Sequence, residues 1–546
     1  MPELELTGVN IVLSTVGAFF ILFGVISSKL KNTWYIGEAL PAMLMGILLG
    51  PVAAKFIDSS KWASAEPGQQ KEITHNGCRV VIGIHLVMAG FQLPARFQLL
   101  RWKRLIGMLP VMTIMWLLTS LCVFMIIPDL TWLSSLVIGS CLACTDPVLS
   151  QVIARGAFAE KYIPLHLRED LSSEAGANDS FAFPSLMLAT FLIRHAAVPG
   201  SGKANSDGEV IENVERVGRI GGGVGVALKM WFLETWLYTV LLSIVYGALV
   251  GYASCLVLRL ALRRGWIDTG NFFLFPTVIG LFVLGSAEAI GTEDLLACFA
   301  AGNALNWNGL YQEECSNRCD AVNPAISSFL NLGAFLYLGS VMPWDTFSSP
   351  NITYPRLFAL GFALLLFRRI PATMISYTVF PKLYANAREA LVLGHLGPLG
   401  VGAIFFAEHT RELFPELGEG DEEETNLIAA LTPTVYWMVF FSIVVHGISV
   451  PIIHLVYKYL SVPTIQEGTS ETLPFSRRAS LSDKNVVERR EQSDFKETID
   501  HGTQSLDLSD LKDEAWKGHE SVIGPFRWSV EQEYCRVTSD RCNTLA

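Results

Sequence analysis

The chain has 546 residues, of which 51% are hydrophobic and 17% are charged, and its formal net charge is −11. Soluble domains carry about 25% charged residues, so this composition indicates a protein with many membrane-spanning segments. The acidic balance argues against a nucleic-acid-binding protein, because no basic stripe is available to neutralise phosphates.

Apolar runs bounded by charged residues predict about 13 membrane-spanning helices in an all-α polytopic membrane protein. Numbered in chain order, these spans are 8–28, 37–57, 79–93, 105–127, 132–153, 171–193, 231–258, 271–290, 292–307, 323–341, 357–380, 390–408 and 426–457. Several are short or interrupted by glycine and proline. Such segments are expected to pack against other helices or to line a cavity.

Basic residues predict how these spans are oriented. They cluster in the loops after odd-numbered spans, at Lys29 and Lys31, Arg96 to Arg104, Arg155 to Arg168, Arg259 to Arg264, and Lys382 and Arg388. Because such loops stay on the cytoplasmic side, we expect the N-terminus outside and the C-terminus inside. The glycosylation sequon at Asn351 falls in a predicted outer loop, which agrees with this orientation.

The character of the sequence changes after residue 460. Residues 461–546 are rich in Ser, Glu, Asp and Arg and contain no apolar run long enough to form a core. We therefore predict a transmembrane domain over 1–460 and a disordered cytoplasmic regulatory tail over 461–546. Within the tail, the string Arg477-Arg478-Ala479-Ser480 makes Ser480 a candidate phosphorylation site, although such strings are common by chance.

Span six opens with the acidic stretch Ser173-Glu174-Ala175-Gly176-Ala177-Asn178-Asp179. Charged side chains at the centre of a membrane helix cost roughly 2.5 kcal/mol or more each, so they persist mainly where they have a task. Glu174 and Asn178 share a helix face, and Asp179 lies about 140° round from Glu174. One carboxylate can then take a structural partner while the other faces a cavity. The alternative is a polar loop over 171–179; we expect instead that Asp179 binds a metal cation and a proton by turns.

Two spans are interrupted in the same manner. Span five contains a Gly- and Pro-bearing segment at 139–147, and span twelve contains another at 394–402. Proline removes a backbone donor and glycine lowers the cost of unwinding. The two lie seven spans apart, as expected if spans one to six and eight to thirteen were inverted repeats. Paired interruptions of this kind point to the midplane site of a transporter, whereas two unrelated proline kinks are the alternative.

Five motifs together carry a family resemblance. They are Thr145-Asp146-Pro147, Ser173-Glu174, the stretch from Asn178 to Pro184, the stretch from Gly291 to Gly302, and Phe367-Arg368-Arg369-Ile370-Pro371. In this order they resemble the sodium/proton exchangers, most closely the fungal plasma-membrane Na⁺(K⁺)/H⁺ antiporters, over nearly all of the first 460 residues. The resemblance implies inverted repeats with two crossed, broken helices, a homodimer in the plasma membrane, and no cofactor besides the transported ions.

The resemblance also assigns roles to individual residues. It implies that Asp179 exchanges Na⁺, Li⁺ or K⁺ for H⁺ with support from Asn178, and that Thr145 and Asp146 belong to the crossing of the broken helices. As rivals we consider a cation channel with the same polar centre and a membrane receptor with a signalling tail. An enzyme is not expected, since no metalloprotease-type motif occurs in the sequence.

Two further charged pairs receive expectations. The resemblance implies that Glu174 pairs with Arg368 or Arg369, and an unpaired buried charge would be very costly. The sequence leaves the choice of arginine open, and arginines that snorkel from a span end are the alternative. Glu293 and Asp294 resemble an acidic pair of the fungal antiporters that would influence cation selection. Preceded by Thr292, they are equally typical of a capped helix N-terminus.

Overall fold

A computed structural model of the chain describes residues 8–58, 68–150, 156–195, 219–349, 351–379 and 386–461. These residues are predominantly helical, and no β-strand occurs among them. The predicted tail, including Ser480, lies outside the described residues except for Ser461. The all-α class expected from the apolar runs is therefore what the described chain adopts.

The helices of the first half are α1 (Gly8–Ser28), α2 (Ala39–Leu49), α3 (Gln69–Gln92), α4 (Phe97–Leu100), α5 (Trp102–Ile126), α6 (Trp132–Ala143), α7 (Ala157–Tyr162), α8 (Leu165–Arg194), α9 (Gly223–Met230) and α10 (Leu242–Arg264). A π-helical stretch, Lys29–Thr33, follows α1, and another, Trp231–Leu241, joins α9 to α10. The helices of the second half are α11 (Thr269–Ile290), α12 (Asp294–Leu305), α13 (Leu310–Asn317), α14 (Val322–Ser340), α15 (Tyr354–Phe367), α16 (Ile370–Val379), α17 (Ala387–His395), α18 (Val401–Glu412) and α19 (Glu422–Tyr459), with a 3₁₀ turn at Trp344–Ser348.

Each of the thirteen predicted spans overlaps at least one of these helices, but the lengths of the helices differ. Seven helical segments of the described chain are long and apolar enough to cross a membrane, and the bent pair α13 and α14 would make an eighth. Helices α2 and α12 have only 11 and 12 residues. At 1.5 Å per residue they are shorter than a hydrocarbon core of about 30 Å. Helix length therefore establishes a multi-pass protein without establishing thirteen complete crossings.

The helices pack into two neighbouring groups. A scaffold group contains α2, α3, α10, α11, α12 and α14, and a second group contains α5, α6, α8 and α15 to α19, with α18 also packed closely against α3 at the boundary. The second group corresponds to predicted spans four to six and eleven to thirteen. It thus combines the second halves of the two repeats that the interrupted spans predicted, and we call it the crossing group.

Glycines set the closest contacts within the scaffold group. A methyl group added at Gly302 of α12 would lie 2.2 Å from the carbonyl oxygen of Val87 in α3. One added at Gly90 of α3 would lie 2.7 Å from the carbonyl oxygen of Phe299 in α12. Such separations are too short for any side chain, so the two backbones approach closely because both positions are glycine.

Gly302→Ala is expected to lower the thermal stability of the purified protein in detergent, by the roughly 1–3 kcal/mol typical of overpacking. The added methyl group must push α3 and α12 apart. Gly285→Ala is the matched control, because no atom lies within 4 Å of the position its methyl group would take. Since alanine favours helix more than glycine, that variant should unfold at the same or a higher temperature. Equal melting temperatures for the two variants would contradict this packing.

Candidate functional site

The two interrupted spans meet inside the crossing group. Helix α6 ends at Ala143, residues 144–146 are not helical, and the helix resumes over 147–150. Between α17 and α18 the chain is likewise unwound. The backbone N–H of Asp146 donates to the carbonyl oxygen of Pro398 at 3.1 Å, which joins the two breaks directly. Prolines that end one helical turn or begin the next explain why the winding is lost at these points.

Asp146 caps the two half-helices that begin at the crossing. Its carboxylate accepts hydrogen bonds from the backbone N–H of Leu149 at 2.9 Å and of Gly402 at 3.3 Å. Asp146 is fully buried, so its negative charge is stabilised chiefly by the positive ends of two helix dipoles. Gly400 permits this approach, because a methyl group there would lie 2.3 Å from the carboxylate. Both carboxylate oxygens thus serve backbone amides, and an ion-binding role for Asp146 stays a prediction.

Arg368 and Arg369 satisfy the carbonyl groups of the two half-helices that end at the crossing, α6 and α17. Arg368 donates to the carbonyl oxygen of Leu142 at 3.0 Å and also to that of Gly397. Arg369 donates through Nε to the carbonyl oxygen of Leu393 at 2.7 Å. Carbonyl groups at helix C-termini carry partial negative charge, which the guanidinium groups compensate. The crossing therefore places one carboxylate at its positive ends and two guanidinium groups at its negative ends.

Arg369 is the partner of Glu174. Its Nη2 lies 2.8 Å from Oε2 of Glu174, while Nη1 donates to the hydroxyl oxygen of Thr145 at 3.0 Å. Arg368 and Arg369 are 4% and 3% exposed, so the snorkelling alternative is wrong. Predicted span eleven was a single helix, but α15 ends just before these arginines and α16 begins just after them. This interruption lets two successive side chains both turn inward.

Asn178 connects α8 to the first break. Its amide donates to the hydroxyl oxygen of Thr145 at 2.7 Å and to the carbonyl oxygen of Ala143 at 3.2 Å. Asn178 and Thr145 are both buried. Asp179 follows Asn178 on α8, so its backbone lies beside the unwound segment, whereas its side chain is outside the described atoms. The polar loop considered for 171–179 is wrong, because this stretch is part of the helix Leu165–Arg194.

The acidic pair at the start of α12 lies in a separate buried group. Glu293 accepts a hydrogen bond from the backbone N–H of Leu296 at 2.6 Å, which makes it the helix cap. Thr292, the cap expected from the sequence, donates its hydroxyl proton to the carbonyl oxygen of Thr239 at 2.8 Å. The interpretation as a capped helix N-terminus is thus confirmed, but the cap is Glu293 and not Thr292. A role of the pair in cation selection stays a prediction.

Arg79 is the basic partner of this acidic pair, and the sequence analysis did not single it out. Its guanidinium pairs with Asp294 of α12 and, at 2.6 Å, with Glu288 near the end of α11. It also donates to the carbonyl oxygen of Leu284 at 2.8 Å. The available signal was a basic residue at the start of a predicted membrane span, which calls for an acidic partner nearby.

Comparison with known proteins decides the family. Residues 15–456 match the family model described as "Sodium/hydrogen exchanger, transmembrane". The chain belongs to the sodium/hydrogen exchanger family. The resemblance stated from the five motifs is therefore confirmed. The matched residues include both broken spans and both helix groups.

Three fungal relatives are similar over most of the chain. It is 32% identical over 468 residues to a Na⁺/H⁺ antiporter of Saccharomyces cerevisiae, covering 83% of this chain and 44% of that protein. It is 31% identical over 477 residues to Na⁺/H⁺ antiporter 2 of Zygosaccharomyces rouxii, covering 85% and 55%. It is 29% identical over 493 residues to a Na⁺/H⁺ antiporter of Schizosaccharomyces pombe, covering 89% and 96%. The chain thus spans about half the length of the first two relatives.

A solved structure shares the fold. The sodium proton antiporter MjNhaP1 from Methanocaldococcus jannaschii, at pH 8, matches with a TM-score of 0.53 and 14% sequence identity. The match covers 82% of this chain and 99% of that chain. At this identity the likeness concerns the fold alone, and it confirms the predicted all-α membrane fold of this family member.

Asp146→Asn is expected to destabilise this exchanger-family chain, because an amide has one acceptor oxygen where the carboxylate uses two. Its NH₂ group would then face a backbone donor at one of the two helix N-termini. Hydrogen bonds to charged groups contribute about 1.5–3 kcal/mol each, so a clear fall in the melting temperature is expected. The matched control is Asp268→Asn, an exposed cap of α11 alone, where asparagine caps about as well. Similar melting temperatures for both variants would contradict the double cap.

Asn351, the predicted glycosylation site, lies just before α15 and is partly exposed. Its own carbonyl oxygen accepts a hydrogen bond from Arg356 at 3.1 Å. Modification of this side chain stays a prediction. Ser480 lies outside the described residues, so its phosphorylation also stays a prediction.

Proposed function

We propose that this chain is a secondary active antiporter that exchanges Na⁺, and also Li⁺ or K⁺, for H⁺ by alternating access. The observation that carries the proposal is the crossing of two broken helices, with Asn178 tying α8 to the break and Asp179 next to it in sequence. Broken helices at matching positions of two repeats form the ion sites of many secondary transporters. The three fungal relatives are all named as Na⁺/H⁺ antiporters, which supports the same activity.

Charge balance at the crossing supports Asp179 as the group that carries the ions. Among the described side chains, the charge of Asp146 faces two helix N-termini, that of Arg368 faces two carbonyl oxygens, and Arg369 pairs with Glu174. These charges have fixed partners and can remain ionised throughout a cycle. The carboxylate of Asp179 adds a charge to this balanced set. Binding of either a metal cation or a proton would neutralise it.

This competition for one carboxylate couples the two fluxes. A charged, empty Asp179 is disfavoured in the membrane interior, so the crossing group changes access readily only when a cation or a proton is bound. Thr145 and Asn178 would hold the broken helix in place and offer oxygen atoms near the ion. The scaffold group, with its close glycine contacts, would remain fixed while α6, α8, α17 and α18 move against it.

The location and assembly of the transporter are part of the proposal. The basic loops support an outer N-terminus and a cytoplasmic C-terminus, with Asn351 outside. The similarity to fungal antiporters supports a plasma-membrane location, a role in salt tolerance and in pH and cation homeostasis, and a homodimer. Glu293 and Asp294, buried beside Arg79, would influence cation selection indirectly through the packing of α3 against α12.

Ion-driven proton movement in proteoliposomes tests the activity. The purified full chain is reconstituted with a pH-sensitive dye inside, and NaCl, LiCl or KCl is added to vesicles that hold a pH gradient. An antiporter collapses the gradient in a saturable, cation-dependent manner, whereas protein-free vesicles do not. Cation uptake without proton countermovement would instead establish the channel alternative, and no flux of either ion would favour the receptor.

A further inference from the structure

A cavity of about 500 Å³, with a few polar side chains in a mostly apolar wall, lies between the two helix groups. Its walls include α2, α3 and α14 of the scaffold group and α19 and Leu149 of the crossing group. Leu149 belongs to the short helical segment that Asp146 caps, so the cavity reaches the second half of the first broken span. The orientation predicted from the basic loops places its mouth, near Lys31 and Gly156, on the cytoplasmic side.

Glu38 is a carboxylate in the wall of this cavity that the transport scheme does not use. It is only 3% exposed and precedes α2. Its Oε1 accepts hydrogen bonds from Nζ of Lys31 and from the hydroxyl group of Ser328, and its Oε2 accepts one from the amide of Asn331 at 3.1 Å. The buried Glu38 carboxylate thus has two neutral hydrogen-bond donors and one cationic partner, the Lys31 ammonium.

The Lys31 side chain can move away from Glu38 into solvent. Lys31 lies in the π-helical stretch after α1, and its side chain is 40% exposed, in contrast to the buried carboxylate. A lysine ammonium is a compact charge on a flexible four-carbon stem. Its head group occupies the position that a free monovalent cation would take against Glu38.

The same wall holds two side-chain oxygen atoms that accept no hydrogen bond from any described residue. The side-chain oxygen of Asn331 is buried and accepts no hydrogen bond from the described residues, although Asn331 lines the cavity. The ring nitrogens of the neighbouring His85 contact the carbonyl oxygen of Val81 and the hydroxyl group of Ser327. The side-chain oxygen of Asn323, also in the cavity wall, is buried and likewise accepts no hydrogen bond within the described part of the chain. Buried acceptors of this kind call for an explanation, and a role as ligands of a cation is one.

We propose that Glu38 and Ser328, together with Asn331 once its amide rotates to present its oxygen, form a second alkali-cation site in the inner cavity, at which the Lys31 ammonium acts as a tethered competitor. Carboxylate, hydroxyl and amide oxygens are the ligands that hard cations prefer. When Lys31 moves into solvent, Na⁺ or K⁺ takes its place on Glu38 and is concentrated in the cavity that reaches Leu149 of the first broken span. The recruiting role rests on the proposed antiport function, whereas binding at this site does not.

Binding is tested in the Asp179→Asn background, where the central carboxylate cannot contribute. The melting temperature of the purified full chain is measured over a NaCl titration, with N-methyl-D-glucamine chloride keeping the ionic strength constant. Asp179→Asn with Lys31→Met should show a saturable Na⁺-dependent rise, because a ligand that binds the folded state stabilises it. With Lys31 present, the midpoint should lie at a several-fold higher Na⁺ concentration.

Glu38→Gln, added to Asp179→Asn and Lys31→Met, should abolish the rise, whereas Glu314→Gln, at a surface pair with Arg318, should leave it unchanged. If the Glu38 variant does not fold, Ser328→Ala removes one ligand without a change in charge and should move the midpoint to higher Na⁺. A saturable rise that survives both Glu38→Gln and Ser328→Ala would overturn the site. So would the absence of any Na⁺ effect once Lys31 is removed. Neither result depends on whether the wild-type chain exchanges ions.

Discussion

Glu174→Arg is expected to abolish the accumulation of folded protein, and adding Arg369→Glu is expected to restore part of it. In the wild-type chain, Nη2 of the buried Arg369 lies 2.8 Å from a carboxylate oxygen of Glu174. The single change removes this partner and places a second positive charge beside the Arg369 guanidinium. Breaking a buried pair costs about 3–5 kcal/mol, which is a large share of the roughly 5–15 kcal/mol by which folded proteins are typically stable. The double reversal restores opposite charges at the same two positions.

Recovery should be partial for a reason visible in the structure. Arg369 also donates to the carbonyl oxygen of Leu393 and to the hydroxyl oxygen of Thr145, and a glutamate cannot donate to either. Adding Arg368→Glu to Glu174→Arg should give no recovery, because Arg368 bonds only carbonyl oxygens among the described residues and does not contact Glu174. Comparing the two double variants thus distinguishes Arg368 from Arg369, a choice that the sequence left open.

Size-exclusion profiles of the detergent-solubilised protein, followed by thermal unfolding of the monodisperse fraction, measure this recovery. Glu314→Arg serves as the control, since it makes the same charge change in a partly exposed pair with Arg318 and should be tolerated. If Arg368→Glu rescued Glu174→Arg as well as Arg369→Glu did, the assignment of the pair would be wrong.

The sequence predicts the helices well because hydrophobic runs of membrane length leave few alternatives for a backbone that must satisfy its own hydrogen bonds. It also predicts both breaks, since proline and glycine disfavour continuous winding whatever surrounds them. The order Asp146-Pro147 is typical of a helix cap followed by the first helical residue. Half of the role of Asp146 was therefore readable from its own neighbours in the chain.

The remaining half depends on residues distant in sequence. That Asp146 also caps α18 follows from the meeting of two breaks about 250 residues apart, which no local pattern records. The inward turn of both Arg368 and Arg369 depends on an interruption between α15 and α16, for which Pro371 was the only local signal. Likewise, the pairing of Lys31 and Glu38 with α14 became visible only when the helices were packed together.

Asp179→Asn removes the one carboxylate on which the coupling of cation and proton is proposed to depend, and asparagine is close to it in size. The variant should fold, because the described contacts of the crossing are made by Thr145, Asp146, Asn178 and the arginines. Its size-exclusion profile and melting temperature in Na⁺-free buffer should therefore match those of the wild-type chain. Asp179→Glu is a second control, which keeps the charge while shifting its position, and it should retain reduced exchange.

The most direct test is Na⁺-driven proton movement in proteoliposomes that contain Asp179→Asn, measured beside wild-type vesicles with equal amounts of reconstituted protein. We expect the wild-type vesicles to collapse an imposed pH gradient when NaCl is added, and the Asp179→Asn vesicles to respond no faster than protein-free vesicles. Proton movement by Asp179→Asn at a rate near that of the wild-type chain would contradict the account.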